Sequence, residues 1–269
     1  MGRVEGRVAL VTGAARGQGR AEAVLLAADG ADIIAVDVCA EVLPLGYPPA
    51  TPADLEETAR LVEERGRRVV ARRADVRDHA ALTAAVEEGV AALGRLDVVV
   101  ANAGICGWGR VWELTEEEWR GVIDTNLTGV WHTLKATVPL LIAQGTGGSV
   151  IVTSSVAGLK SLPFQAHYSA AKHGLVGLTK SAAIELGEHG IRVNSIHPWG
   201  VDTPMATEDR TAKRVLADNP HHAASFASIL PLMLTGVDEI AELVVYLASD
   251  ASRSVTGAQL AIDAGATAV

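Results

Sequence analysis

Short apolar runs alternate with longer amphipathic stretches along most of the chain. The runs are of strand length and nearly all apolar, which is typical of strands buried on both faces of a parallel sheet. The predicted strands are Arg7–Val11, Asp32–Val36, Arg68–Arg72, Leu96–Ala101, Ser149–Thr153, Arg192–Ile196 and Gln259–Ile262. The predicted helices are Gly19–Ala28, Ala53–Arg65, Ala80–Leu93, Thr115–Ile142, Gln165–Glu188 and Val237–Ser249. Because crossovers between parallel strands are right-handed, this order predicts a doubly wound sheet with ligands at the carboxyl ends of its strands.

The pattern predicts a single α/β domain over residues 1–269, a Rossmann-like, doubly wound, seven-stranded parallel sheet with helices on both faces. No linker divides the chain, and we interpret the Pro-rich stretch Leu43–Pro52 as a loop insertion. Thr115 followed by Glu118 forms a capping box, which places one helix start. The segment 205–236 mixes charged and apolar residues without a strand, so we expect a helical lid there, with disorder as the alternative.

The overall composition narrows the classes of function. The formal net charge is −9, which disfavours nucleic acid or an anionic membrane as a partner. Two cysteines without a CxxC motif cannot build a disulfide framework, and the eight histidines lack metal-site spacing, so we expect no metal. No signal-peptide core and no apolar run of membrane-spanning length is present, so a cytoplasmic location is expected.

A glycine-rich turn joins the first predicted strand to the first predicted helix. In this turn, Thr12 to Gly19, backbone N–H groups can approach a pyrophosphate at the positive end of the helix. Such a turn is weak evidence alone but strong at this position of a doubly wound sheet. The candidate dinucleotide-binding residues of the turn are Gly13, Arg16, Gly17, Gln18 and Gly19.

Asp37 ends the second predicted strand, where a carboxylate can accept hydrogen bonds from both hydroxyls of an adenosine ribose. The same carboxylate would repel a 2′-phosphate, whereas Arg16 could pair with one. Two unit charges about 4 Å apart interact by roughly 4 kcal/mol at an intermediate dielectric. We expect Asp37 to outweigh a mobile Arg16, which predicts NAD as the cofactor. An NADPH-dependent ketone reductase stays as the alternative.

Tyr168 and Lys172 are a candidate reaction pair, because residues four apart share one face of a helix. A free phenol titrates near pH 10, and lowering its pKa by about three units costs roughly 4 kcal/mol. One ammonium group about 4 Å away supplies around that much. We therefore expect Tyr168 to act as a base toward an alcohol, or as an acid toward a ketone, near neutral pH.

These motifs, in this order, resemble the short-chain dehydrogenase/reductase family along essentially the whole chain. The resemblance adds an adenine-contacting pair after the third strand, an Asn-Ala-Gly turn after the fourth, and a nicotinamide loop after the sixth. Trp199 in that last loop stands where glycine is usual, which leaves its conformation open. The cofactor-binding residues that the resemblance implies are Asp75, Val76, Asn102, Ala103, Gly104, Tyr168, Lys172, Pro198, Val201 and Thr203.

The resemblance also implies a catalytic tetrad of Asn126, Ser155, Tyr168 and Lys172. In this interpretation the Ser155 hydroxyl holds the substrate oxygen, and Ser154 is the less suitable neighbour. The Asn126 amide orients a water that links Lys172 to solvent. A catalytically silent dinucleotide-binding regulator is the alternative from another class, but such regulators often lack a tetrad member and none is missing here.

The stretch from Gly13 to Cys39, with the long Val42–Thr51 insertion, is similar to that of an actinobacterial subgroup that includes carveol dehydrogenase-like proteins. The similarity implies tightly held NAD and a possible external redox partner such as mycofactocin. It further implies a small hydrophobic secondary alcohol or ketone, alicyclic or terpenoid, as the substrate. Helix Ala170–Leu186, rich in small residues, is expected to pack against a twin, and the family implies a homotetramer.

Overall fold

The computed structural model describes residues 2–269, whose strands form one parallel sheet. The strands are β1 (Val8–Thr12), β2 (Asp32–Asp37), β3 (Val69–Arg73), β4 (Val98–Ala101), β5 (Gly148–Thr153), β6 (Ile191–Pro198) and β7 (Gln259–Ile262). Their order across the sheet is β3-β2-β1-β4-β5-β6-β7, and each neighbouring pair is parallel. The predicted doubly wound, Rossmann-like fold is confirmed. Its strand order reverses between β1 and β4, where such sheets bind ligands.

Helices cover both faces of this sheet. They are α1 (Gly17–Ala28), α2 (Pro52–Glu63), α3 (His79–Leu93), α4 (Glu116–Ile123), α5 (Gly129–Gln144), α6 (Ala166–Leu186), α7 (Pro204–Thr207), α8 (Arg210–Asp218) and α9 (Val237–Ala248). On one face, Leu26 of α1 and Val244 of α9 pack on the strands. On the other face, Leu134 of α5 and Leu175 of α6 do so. Every residue of β1 and β2 is buried between these layers, as expected for strands that are rich in apolar residues.

The long helix predicted over residues 115–142 is interrupted, which is a correction to the sequence-based prediction. Its start is as expected: the Thr115 hydroxyl accepts from the Glu118 N–H, and the Glu118 carboxylate accepts from the Thr115 N–H. A π-helical segment, Asp124–Thr128, then separates α4 from α5. The Thr125 hydroxyl donates to the Gly121 carbonyl oxygen over 2.7 Å, so a side chain contributes to the hydrogen bonding of this turn. Single π-helical turns inside helices often occur at functional sites.

The segment expected to form a helical lid is helical only in its first part. It contains α7, α8 and a 3-10 segment, Pro220–Phe226, and continues without a helix to residue 236. In that second part the side chains of Ile229, Leu232 and Met233 are exposed. None of the helices within residues 2–269 combines the length and apolar character needed to cross a lipid bilayer.

Glu22 of α1 is a fully buried carboxyl group, and neither of its carboxyl oxygens has a hydrogen-bond partner among the described residues. Burial raises its pKa from the ordinary 4.5 to about 8. The neutral acid is therefore the form present at neutral pH, since an isolated buried charge is costly.

We predict that Glu22→Gln stabilises the fold near neutral pH. Between pH 4.5 and about 8 the folded chain keeps a proton that the unfolded chain releases, so wild-type stability falls as the pH rises through this window. The amide does not ionise, and the gain should reach about 3 kcal/mol at pH 7 and vanish below pH 4.5. Thermal melting measured from pH 4 to pH 9 tests this. Glu63→Gln, at an exposed position of α2, is the control and should show no such trend; equal pH profiles for both variants would contradict the prediction.

Candidate active site

A crevice opens at the carboxyl ends of β1, β2 and β4, where the strand order reverses. Its walls bring together many residues that the sequence predicts to bind the cofactor, namely Gly13, Arg16, Gly17, Gln18, Gly19, Asp37, Asp75, Val76, Asn102, Ala103, Gly104 and Thr203. Four other predicted cofactor-binding residues are not part of these walls, namely Tyr168, Lys172, Pro198 and Val201. The crevice is therefore continuous from the glycine turn to the ends of the central strands.

The glycine turn leaves space that side chains would otherwise occupy. Gly13 and Gly17 have left-handed φ angles of 69° and 57°, which favour glycine. A Cβ atom at Gly19 would overlap the Gly13 carbonyl oxygen and lie 2.8 Å from Nδ2 of Asn102. The amide of Asn102 donates to the Thr12 carbonyl oxygen over 3.1 Å, which ties the turn to the end of β4. The turn is thus held open at the first N–H groups of α1.

Asp37 lies at the end of β2 with only 8% of its surface exposed. Its two carboxylate oxygens accept from the backbone N–H groups of Ala15 (3.1 Å) and Cys39 (2.9 Å). A carboxylate has lone pairs for about four hydrogen bonds, so Asp37 keeps acceptor capacity on the crevice side. This geometry suits a vicinal diol.

Arg16 has a different environment from the one considered from the sequence. Its guanidinium donates to the carbonyl oxygens of Pro48 and Pro49 in the insertion. Arg16 is therefore a tether for the insertion and not a mobile cation. This arrangement weakens the argument for a 2′-phosphate, which had depended on a free guanidinium.

Residues 42–51, which we call the strap, form one wall of the crevice. Besides the Arg16 tether, the Tyr47 hydroxyl accepts from the Cys106 N–H over 3.0 Å, beyond the end of β4. The Gly46 carbonyl accepts from the Arg210 N–H over 2.9 Å, at the start of α8. The strap is thus bound on three sides of the crevice. Sequence reasoning placed the insertion but missed Tyr47, although it is the one aromatic residue of that segment.

Tyr168 and Lys172 face the same space on α6, as their spacing predicts. The Lys172 ammonium nitrogen lies 5.5 Å from the centre of the Tyr168 ring and donates to the Thr153 carbonyl oxygen over 2.7 Å. Gly104 joins this pair to the crevice, because a Cβ atom there would lie 3.6 Å from Nζ of Lys172 and 3.3 Å from Oδ1 of Asn126. Lys172 and Asn126 therefore lie next to Gly104 in the wall of the crevice, with Tyr168 beside Lys172.

The pKa of Tyr168 departs from its ordinary value in the direction opposite to our expectation. Burial raises it, the nearby Cys106 thiol adds to the rise, and a hydrogen bond with the Ser155 side chain lowers it by less. Burial also lowers the pKa of Lys172 to about 8. The Lys172 ammonium therefore does not by itself lower the pKa of the phenol, because both charged forms lose water and the ammonium is bonded to the Thr153 carbonyl; the role of Tyr168 as acid/base stays a prediction.

Ser155 follows β5 and begins a 3-10 turn, Val156–Gly158. Its hydroxyl oxygen accepts from the Ala157 N–H over 3.1 Å, so its own proton can be donated elsewhere. The neighbouring Ser154 hydroxyl donates to the Lys172 carbonyl oxygen over 3.0 Å and is engaged in holding α6. This difference agrees with the choice of Ser155 over Ser154.

Asn126 is fully buried in the π-helical segment. Its amide accepts from the Ile105 N–H and donates to the Ile105 carbonyl, both over 2.8 Å. The side chain thus fixes the loop after Gly104, a role that sequence reasoning missed. An amide keeps one donor and one lone pair beyond these two bonds, so its predicted link to a water stays a prediction.

The loop after β6 closes the other side of the site. Val201 is buried and pairs with Thr235, while Thr203 contacts Gly17 of the glycine turn. Trp199, the departure from the family pattern, lies 6.5 Å from the Phe226 ring between centroids. It therefore belongs to an aromatic group that Trp108 completes, 5.9 Å from Phe226.

Comparisons with known proteins agree with this geometry. A family model described as enoyl-(acyl carrier protein) reductase matches residues 13–267. An uncharacterized NAD-dependent oxidoreductase of Mycobacterium tuberculosis is 55% identical over 98% of this chain and 97% of its own. The (−)-trans-carveol dehydrogenase of Rhodococcus erythropolis is 47% identical over 99% of both chains. The crystal structure of a short chain dehydrogenase from Mycobacterium paratuberculosis bound to NAD aligns with a TM-score of 0.97 and 49% identity over the whole of both chains.

We predict that Gly19→Ala abolishes dinucleotide binding, because the added methyl group would displace the Gly13 carbonyl and narrow the turn. Nucleotide released on denaturation of the purified protein, measured by chromatography, tests this. Gly187→Ala is the control: Gly187 is exposed just after α6, with open space around its Cβ position, and this variant should keep the nucleotide. Full nucleotide content in Gly19→Ala would count against the assigned turn.

Proposed function

The chain belongs to the short-chain dehydrogenase/reductase family and is an NAD-dependent oxidoreductase, and from this premise we propose that it interconverts a hydrophobic secondary alcohol and its ketone, with Tyr168 as the acid/base. The observation that carries the proposal is the placement of Tyr168, Ser155 and Lys172 together behind the crevice at Gly104. The same complete set disfavours a catalytically silent regulator.

The crevice residues fit NAD. The glycine turn leaves space for a pyrophosphate, and Asp37 keeps acceptors for the adenosine ribose hydroxyls. Arg16 is bonded to the strap, so it does not offer a free cation to a 2′-phosphate. This arrangement argues against the NADPH-dependent alternative.

Each catalytic side chain then has a defined task. The Ser155 hydroxyl, fixed by the Ala157 N–H, donates to the substrate oxygen. Tyr168 gives a proton to that oxygen in ketone reduction or takes it in alcohol oxidation. Lys172, with a pKa of about 8, can hold or release a proton near neutral pH. When bound, NAD supplies the two-electron acceptor or donor, and its positively charged nicotinamide ring offsets the cost of ionising the phenol.

The substrate we propose is alicyclic or terpenoid, as for the carveol dehydrogenase to which the chain is similar. Trp108, Trp199 and Phe226 form an apolar aromatic group at the lid. The nearby Arg110 donates to the Asn219 side chain and stacks on Phe164, so its charge is partly engaged. Such surroundings favour an uncharged substrate.

We also propose that NAD exchanges slowly because the strap spans the crevice, so that an external acceptor such as mycofactocin reoxidises the bound cofactor. The three anchors of the strap, at Arg16, Cys106 and Arg210, would have to separate before the dinucleotide leaves. A homotetramer is part of the proposal, since Trp131 of α5 and Ile184 of α6 expose apolar surface on the helices expected to pair.

Tyr168→Phe should lower turnover of carveol by at least 10³-fold while bound NAD is retained, because the substrate loses its proton partner and the crevice is unchanged. Turnover should be measured with an artificial electron acceptor, and NAD content by chromatography of denatured protein. Tyr246→Phe, on α9, is a matched control and should keep full activity. Turnover of Tyr168→Phe near the wild-type rate would remove the proposed mechanism.

Gly46→Ala should release NAD faster, by about tenfold, because its methyl group would overlap Oδ1 of Asp209 and lie 2.8 Å from the Thr211 nitrogen, which separates the strap from α8. Dissociation after mixing with excess labelled NAD measures the rate. Gly187→Ala, with open space around its Cβ position, is the control. If both variants exchange at the wild-type rate, the strap does not limit NAD release.

A further inference from the structure

A buried chain of hydrogen bonds runs behind Ser155. His197, in β6, is fully buried, and its Nδ1 lies 2.8 Å from the Ser155 carbonyl oxygen. Its Nε2 lies 2.9 Å from the hydroxyl oxygen of Ser195, which is also fully buried. Neither residue belongs to the tetrad, and the sequence analysis singled out neither.

The partners of His197 determine where its proton lies. A carbonyl oxygen can only accept, so Nδ1 carries the hydrogen and donates it to Ser155. The lone pair of Nε2 then accepts from the Ser195 hydroxyl. The pKa of His197 is lowered by burial and by Lys172 and His173 of α6, against the opposing effects of the Ser155 carbonyl and Asp263 beyond β7. The imidazole is therefore neutral near neutral pH.

Ser155 is consequently held at two atoms. The Ala157 N–H donates to its hydroxyl oxygen, and the His197 imidazole and the Gly158 N–H, each over 2.8 Å, both donate to its carbonyl oxygen. The backbone of Ser155 is outside the β5 ladder, since β5 ends at Thr153. Loss of the imidazole would remove one of the two donors to this carbonyl and leave only the Gly158 N–H of the same 3-10 turn, which does not tie Ser155 to β6. The turn could then shift relative to β6, and with it the side chain that meets the substrate.

We propose that His197 is a positioning residue that fixes Ser155 for catalysis through its Nδ1–H donor. The proposal rests on the proposed function, because it assigns His197 an effect only through a serine that contacts substrate. A displacement of about 1 Å at a reacting group can cost about 10²-fold in rate. We therefore expect a loss in kcat of roughly 10-fold to 100-fold without the donor, with a smaller change in KM.

Three variants separate the two hydrogen bonds of His197. His197→Asn keeps a donor at the position of Nδ1 and should keep kcat within about threefold of wild type. His197→Leu has nearly the same shape as His197→Asn without a donor, and should show the full loss. His197→Gln places its amide near the position of Nε2, so it should contact Ser195 and also show the loss. A kcat near wild type for His197→Gln together with a low kcat for His197→Asn would overturn the proposal. Equal kcat values for His197→Asn and His197→Leu would also overturn it.

A double-mutant cycle with Ser155→Ala tests whether the effect passes through the serine. Kinetics with carveol and an artificial acceptor, and NAD content, should be measured for each variant. If His197 acts through Ser155, His197→Leu should lower kcat little further in the Ser155→Ala background; a fully multiplicative loss would overturn the inference. If His197→Leu does not fold, the cycle with His197→Gln gives the same comparison. Unchanged activity of Ser155→Ala itself would instead refute the proposed function, so the two failures are distinguishable.

Discussion

The two hydrogen bonds between Lys172 and the end of β5 are the contacts on which the arrangement of the site depends. The Lys172 ammonium donates to the Thr153 carbonyl, and the Lys172 carbonyl accepts from the Ser154 hydroxyl. They join α6 to the end of β5 at a place where the backbones approach closely, since a Cβ atom at Gly158 would lie only 2.6 Å from the same Lys172 carbonyl oxygen. These contacts hold the start of α6, which carries Tyr168, against the segment after β5 that carries Ser155.

Burial at this junction has two opposite consequences. It lowers the pKa of Lys172 to about 8, close to neutral pH. It also raises the pKa of Tyr168, so in the protein alone the phenol stays protonated. A neutral phenol is a suitable donor to a ketone, whereas its use as a base requires added positive charge next to it. In the proposed mechanism the protein positions the Tyr168 phenol and removes water from it. The positive charge of bound NAD would then allow the phenol to act as a base.

The sequence predicted what depends on local pattern. The strands of the sheet, the capping box at Thr115 and the glycine turn all follow from spacing over a few residues. It did not predict contacts between distant segments: Arg16 with Pro48, or His197 with Ser155. The effect of burial on the pKa of Tyr168 was missed for the same reason, because desolvation depends on everything packed around a group and not on its helical neighbour alone.

The tether between Arg16 and the strap also bears on how cofactor preference could change. In many dinucleotide folds an acidic residue at the end of the second strand can be replaced by a neutral one to admit a phosphorylated ribose. Here such a replacement at Asp37 would remove a repulsion, but the Arg16 guanidinium of the glycine turn would add no free charge, because it is bonded to Pro48 and Pro49. If Arg16 were instead engaged by a phosphorylated ribose, the strap would lose its hydrogen bonds to this guanidinium.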